Sequence, residues 1–238
     1  MKTIGMIGGM SWESSLMYYR IINERARECL GGVHSARSLM LSVDFGRIER
    51  LQHAGHWDAL AEEMAAAARQ LERGGADFMV LCTNTMHCLS DAITRAVDIP
   101  LLHIADPTAA RIRDAGLSRV GLLGTAFTME GDFYTGRLRE RHGLEVLVPE
   151  AEDRQRVHDI IYRELVAGQV RAESREVYRQ VIARLVERGA QAVILGCTEI
   201  MLLVEAEDSA VPLFDTTALH AQAALEYALQ DEARDTMR

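Results

Sequence analysis

Two short segments hold the residues of this chain best suited to chemistry. Cys197-Thr198-Glu199 ends the apolar run from Ala192 to Leu195, behind the small hinge residue Gly196. In the first half of the chain, the similar run Phe78 to Leu81 is followed by Cys82-Thr83-Asn84-Thr85. Each run thus ends on a thiol or hydroxyl, groups that can accept or deliver a proton. One such group from each half suits a reaction on two opposite faces of a small molecule. Beyond the carboxyl ends of parallel strands, backbone N–H groups and Asn or Thr side chains can hold a carboxylate. Helix N-termini at the same place favour a thiolate over a thiol, which makes Cys197 a candidate base near neutral pH.

The elements that must position these turns follow from hydrophobic pattern. Candidate strands are Thr3 to Ile7, Ser38 to Val43, Phe78 to Leu81, Leu101 to Ile104, Val120 to Leu123, Glu145 to Val148, Ala192 to Leu195 and Pro212 to Phe214. Between them lie helical periods such as Trp57 to Arg73, where Trp57, Leu60, Met64, Ala67 and Leu71 share a face. Strands too apolar to face water on either side, alternating with helices, predict an α/β fold with parallel sheets covered on both faces.

Three segments recur in order, displaced by about half the chain. Ile4-Gly5-Met6-Ile7-Gly8 matches Val120-Gly121-Leu122-Leu123-Gly124. Arg73-Gly74-Gly75-Ala76 with its strand matches Arg188-Gly189-Ala190 with its own, and Pro100-Leu101-Leu102 matches Pro212-Leu213-Phe214. The recurrence argues for duplication, with a first domain of residues 1–105 and 215–238 and a second of residues 106–214. The register of the middle match is ambiguous: aligning on Gly-Ala pairs Thr83 with Cys197, aligning on Glu-Arg-Gly pairs Cys82 with Cys197. Neighbouring strand residues point to opposite faces, so only one of Cys82 and Thr83 can project into a shared site.

Bulk properties narrow the function classes. The 238 residues carry a net charge of −9, with Lys and Arg dispersed along helical stretches, which gives nucleic-acid or anionic-membrane binding little support. The start reads as a first strand rather than a signal peptide, no stretch is long and apolar enough to span a bilayer, and cytoplasmic residence is the default. The cysteines have no disulfide-like framework, so reduced thiols are expected. Cys29 and Cys88, on helical patterns, read as core residues. Gly5-Met6-Ile7-Gly8-Gly9 loosely matches a dinucleotide loop, but its spacing is wrong and no acidic residue follows at the end of a second strand. His53 and His56 lack a third metal ligand and read as a solvated loop. Trp12, Tyr18 and Tyr19 read as packing the first helix onto the sheet.

Met1-Lys2-Thr3-Ile4-Gly5 with Gly8-Gly9-Met10, the Asn84-Thr85-Met86-His87 turn, and Gly196-Cys197-Thr198-Glu199 together resemble the cofactor-independent aspartate/glutamate racemase family. Gly8-Gly9-Met10-Ser11-Trp12-Glu13 is similar to the opening of its bacterial members. The resemblance implies two pseudo-symmetric Rossmann-like α/β domains, an active site in the cleft between them, and no pyridoxal phosphate or metal. A homodimer is the expected assembly. The family's first catalytic cysteine stands immediately before the Asn-Thr pair, a position held here by Thr83. The implied catalytic pair is therefore Thr83 and Cys197, with Cys82 facing away. In related racemases the second-domain cysteine deals with the L enantiomer, which implies a preference for L substrates.

By position the family also implies substrate contacts. Asn84, Thr85 and Thr198 match residues that hold the α-carboxylate and amino group, with Met10 and Thr125 beside them. Gln52, expected in the loop after the second strand, matches a position contacting the substrate side chain. Aspartate-specific relatives add an Arg and a Lys against the distal carboxylate. Val166 lies near the place of the Lys, and Arg47 is the candidate substitute. The implied activity is 1,1-proton transfer at the α-carbon of aspartate or glutamate. The rivals are an isomerase or decarboxylase of another small carboxylate or hydantoin, and a binding protein that has lost catalysis.

Overall fold

A computed structural model describes residues 1–235, with side chains to residue 230. The chain divides into two compact units, Met1–Ile104 with the segment from His220 onward, and Ala105–Leu219.

The first unit runs β1 (Ile4–Gly8), α1 (Trp12–Leu30), β2 (Ser38–Ser42), α2 (Phe45–His53), α3 (Trp57–Arg73), β3 (Phe78–Leu81), a 3-10 helix (Thr85–Leu89), α4 (Ser90–Arg95) and β4 (Leu101–Leu102). Its strands form one parallel sheet in the order β2-β1-β3-β4. Every residue of β1 and β3 is buried, as the continuous apolar runs predict for a sheet covered on both faces. Alternation along the strands sorts their side chains. Ile7, Met79 and Leu81 pack with Leu60, Met64 and Ala68 of α3, while Ile4, Phe78, Val80 and Cys82 pack with Tyr18 and Ile22 of α1 and Ala221, Ala224 and Leu225 of the carboxyl-terminal helix. Fully burying each large side chain of this kind contributes about 1.5–3 kcal/mol.

The inward stripe of α1 is Ser14, Ser15, Tyr18, Ile22 and Ala26. Tyr18 is buried as expected, but Trp12 and Tyr19 are 63% and 49% exposed and do not pack the helix onto the sheet. Tyr18 lies within that stripe, whereas Tyr19, about 100° further round the helix, falls just beyond its edge. Cys29 is likewise exposed near the end of α1, and Cys88 is half-buried in the 3-10 helix. Neither is a core residue, against the expectation from composition.

The second unit runs α5 (Ala105–Asp114), β5 (Arg119–Gly124), α6 (Ala126–Glu130), α7 (Asp132–His142), β6 (Glu145–Leu147), α8 (Ala151–Arg163), a 3-10 helix (Leu165–Ala167), α9 (Ala172–Glu187), β7 (Ala192–Gly196), two further 3-10 helices (Ile200–Leu202, Ala206–Asp208), β8 (Leu213–Asp215) and the start of α10 (Thr216–Asp235). Its sheet is parallel in the order β6-β5-β7-β8, the topology of the first sheet repeated. Two α/β units with the same strand order account for the recurring segments. Among the described residues no helix is long and apolar enough to cross a membrane.

The ladders also settle which residues are equivalent. In the first unit Ile4 pairs with Phe78 and Ile7 with Leu81; in the second Val120 pairs with Ala192 and Leu123 with Leu195. Matching Ile4 to Val120 then makes Leu81 the counterpart of Leu195, Cys82 of Gly196, and Thr83 of Cys197. The Gly-Ala alignment is the one the backbone follows.

Candidate active site

In the first unit the turns after β1 and β3 are laced together by α1. Ser11 caps the helix, its hydroxyl accepting from the Ser14 N–H at 3.3 Å. The Ser14 hydroxyl donates to the Cys82 carbonyl at 3.1 Å, and the Ser15 hydroxyl accepts from the Gly9 N–H at 2.8 Å. Glycine is required at position 9: φ is +91°, and a Cβ would stand 2.3 Å from the Val43 carbonyl oxygen. Met10 follows this turn and is buried.

Beyond β3 the Cys82 side chain closes the core beneath α1, and burial pushes its thiol far above the ordinary range. Thr83, Asn84 and Thr85 come next, all buried. His87 fastens this turn. Its Nε2 accepts the Ile104 N–H at 3.2 Å, so the proton sits on Nδ1, which donates to the Thr83 carbonyl at 2.7 Å. Gln52 reaches the same turn through Nε2, 3.1 Å from the Met86 sulfur. It does so from within α2 and not from a loop, because Asp44 caps a helix that begins at Phe45. Met10, Gln52, Thr83, Asn84 and Thr85 therefore all belong to the carboxyl-end region of the first sheet or the helix packed on it.

In the second unit Thr125 follows β5 and caps α6, accepting from the Thr128 N–H at 3.2 Å. Cys197 and Thr198 follow β7, whose last residue Gly196 pairs with Gly124. A Cβ on Gly196 would come within 2.9 Å of the Leu123 carbonyl oxygen, so the close approach of these strand ends depends on glycine. The half-buried Cys197 thiol donates to Glu199 Oε2 at 3.0 Å, and the Thr198 hydroxyl donates to the same oxygen at 2.7 Å. Thr198 and Glu199 are buried.

The electrostatics of this turn reverse one expectation. Burial first, and then the charge of Glu199 and its hydrogen bond, push the Cys197 thiol well above its ordinary value; the Glu199 and Thr198 N–H groups oppose this without overcoming it. The resting group is a thiol and not the thiolate expected from a helix N-terminus. The element next after β7 is the three-residue 3-10 helix Ile200–Leu202, too short to build a macrodipole, and a carboxylate sits against the sulfur. Tyr178 of α9 is held neutral first by burial and then by the nearby charges of Glu199 and Glu164.

Arg47 is exposed, and its Nε donates to Glu63 at 3.0 Å. Val166 lies in the 3-10 helix before Gly168. His53 ends α2 and His56 precedes α3, both exposed. Sequence reasoning assigned no role to His87, Glu199, Ser14 or Ser15. The available signal was polarity at short spacing from a strand end: Glu199 two residues beyond Cys197, and His87 four beyond Thr83.

Residues 7–224 match the model of the Asp/Glu/Hydantoin racemase family, nearly the whole chain. The chain belongs to that family. Among solved structures, this racemase-family chain is 53% identical to a candidate Asp/Glu racemase from Yersinia pestis, covering 97% of this chain and 100% of that one at a TM-score of 0.90. It is 35% identical to an aspartate racemase homologue from Pyrococcus horikoshii OT3, covering 96% and 99% at a TM-score of 0.81. The broad-specificity amino-acid racemase RacX of Bacillus subtilis is 25% identical over 69% of this chain and 70% of its own length. Family membership makes the chain an isomerase of the racemase type, and the two four-stranded parallel sheets flanked by helices match the fold of these relatives.

Proposed function

We propose that this racemase-family member interconverts the enantiomers of aspartate or glutamate by 1,1-proton transfer at the α-carbon, without a cofactor and with a preference for the L form. The observation that carries the reading is the equivalence of Thr83 and Cys197 at the same ladder position of a duplicated sheet. In this mechanism the Cys197 sulfur removes the α-proton. Asn84, Thr85 and Thr198, with Met10 and Thr125 beside them, hold the α-carboxylate and amino group, and Gln52 contacts the side chain. Thr83 assists reprotonation of the opposite face, alone or through water, since a hydroxyl is too weak an acid to rest as a base at neutral pH. With no electron sink, electrostatic stabilisation of the carbanion must lower most of the barrier. The acidic substrate is supported by the likeness to the Yersinia pestis and Pyrococcus horikoshii proteins. The preference for L follows the resemblance to racemases whose second cysteine handles that enantiomer.

A proton NMR time course in deuterated water, over a panel of amino acids, small dicarboxylates and hydantoins, tests the reading. Loss of the α-proton signal of L-aspartate or L-glutamate, unaffected by chelators or hydroxylamine, is the expected outcome. Exchange confined to hydantoins or other carboxylates would move the chain elsewhere in the family. Ligand protection without exchange would make it a binding protein.

A further inference from the structure

We propose that Glu199 is the immediate proton acceptor of the Cys197 thiol during turnover, a role that rests on the racemase reading. Glu199 Oε2 lies 3.0 Å from Cys197 Sγ and accepts its proton along a hydrogen bond already formed. The Thr198 hydroxyl fixes that same oxygen from 2.7 Å, and the carboxyl group is buried, so it is aimed at the sulfur and not spread through solvent. Tyr178, buried on the packed helix α9, stays neutral and is no competing base.

The arrangement answers a chemical difficulty. An amino-acid α-proton is a very weak acid, so a strongly basic thiolate serves better than a weakly basic one. Burial, and then the Glu199 charge, keep the sulfur protonated at rest. A carboxylate already hydrogen-bonded to the thiol gives the proton a place to go without a base from solvent entering the site. The Cys197 S–H bond breaks as an O–H bond forms on Glu199, leaving thiolate and neutral carboxylic acid with the charge of the pair unchanged. The thiolate then takes the α-proton: the C–H bond breaks, S–H reforms, and the electron pair remains on carbon. The opposite-face donor gives its proton to the carbanion and is resupplied from solvent, into which Glu199 releases the proton it held.

The measurement compares wild type with Glu199→Gln, which keeps size and removes charge. Enantiomer-resolved α-proton exchange with L-aspartate and L-glutamate is followed at pH 7. Iodoacetamide alkylation of the Cys197 peptide in the ligand-free protein is followed by mass spectrometry at the same pH. Exchange should fall by about a hundredfold, the usual range for a lost acid–base group. Alkylation should rise, by about threefold for each unit the thiol pKa falls, because the gain in thiolate outweighs the loss in nucleophilicity. A group that merely supported the turn would not move the two readouts in opposite directions. Exchange retained within about threefold, or exchange and alkylation falling together, overturns the proposal while leaving the racemase reading in place. If Glu199→Gln does not fold, Glu199→Asp is read in the same way, its carboxylate withdrawn from the sulfur by one methylene. Absence of exchange in the wild type across the panel overturns the racemase reading itself, and this inference with it.

Discussion

The turn after β3 and the turn after β7 occupy the same ladder position in sheets of the same strand order, yet they carry different chemistry. In the first, the thiol of Cys82 is sealed in the core and the hydroxyl of Thr83 comes next, on a backbone clamped by His87. In the second, glycine holds the core position and the thiol comes next, half-buried against a carboxylate. Duplication preserved where a side chain is presented, and substitution decided what that side chain can do. A one-residue difference in where the sulfur stands separates a thiol sealed in the core from one half-buried against a carboxylate, because strand alternation sends consecutive side chains to opposite faces.

The largest effect is expected where the second turn is broken. Cys197→Ser should lower α-proton exchange by about a thousandfold, roughly 4 kcal/mol of barrier, with circular dichroism and ligand-induced thermal shift unchanged. Cys29→Ser, at an exposed site, is the control and should leave turnover intact. Retention of most activity in Cys197→Ser would remove the thiol from the mechanism.

Breaking the clamp of the first turn should be felt in stability. His87→Ala strands the buried Thr83 carbonyl and Ile104 N–H and leaves a cavity, at a cost of about 3 kcal/mol in chemical denaturation. A loss below about 1 kcal/mol would mean that the turn holds itself.

Thr83→Cys tests the equivalence by making the two turns alike in their reactive group. It should raise exchange of the D enantiomer more than that of the L, by about tenfold, or about 1.4 kcal/mol. An unchanged D to L ratio in enantiomer-resolved exchange would show that position 83 does not face the α-carbon. Cys82→Ala completes the set. It should cost about 1 kcal/mol by emptying a small buried volume, and stereochemical preference should not change. If that substitution instead abolished D-side exchange, the reactive group would be the thiol and not the hydroxyl beside it.

Much of this architecture was legible in the chain. The strand of Phe78–Leu81 and the helix of Trp57–Arg73 match their expected limits, because continuous apolar runs and a helical stripe both express burial through local spacing. The strand at Leu101 is shorter than its apolar run, since Ile104 is drawn off to donate to His87 and α5 begins at Ala105. Trp12 and Tyr19 failed as core residues because hydrophobicity says that a side chain can be buried, while helix phase decides whether it is.

The sequence by itself determined two repeats of one α/β plan, the strand ends that carry reactive groups, and through its motifs the racemase family. Those features depend on local periodicity and on residues adjacent in the chain. Spacing along the chain left both registers open; the hydrogen-bond ladders, which join strands far apart in sequence, make Thr83 the counterpart of Cys197, the pairing that the family resemblance implies. The tertiary structure alone decided the protonation of Cys197. Whether a strand-end cysteine rests as thiol or thiolate depends on burial and on which charge lies nearest, and here burial first, and then the Glu199 carboxylate 3.0 Å from the sulfur, outweigh the local N–H groups.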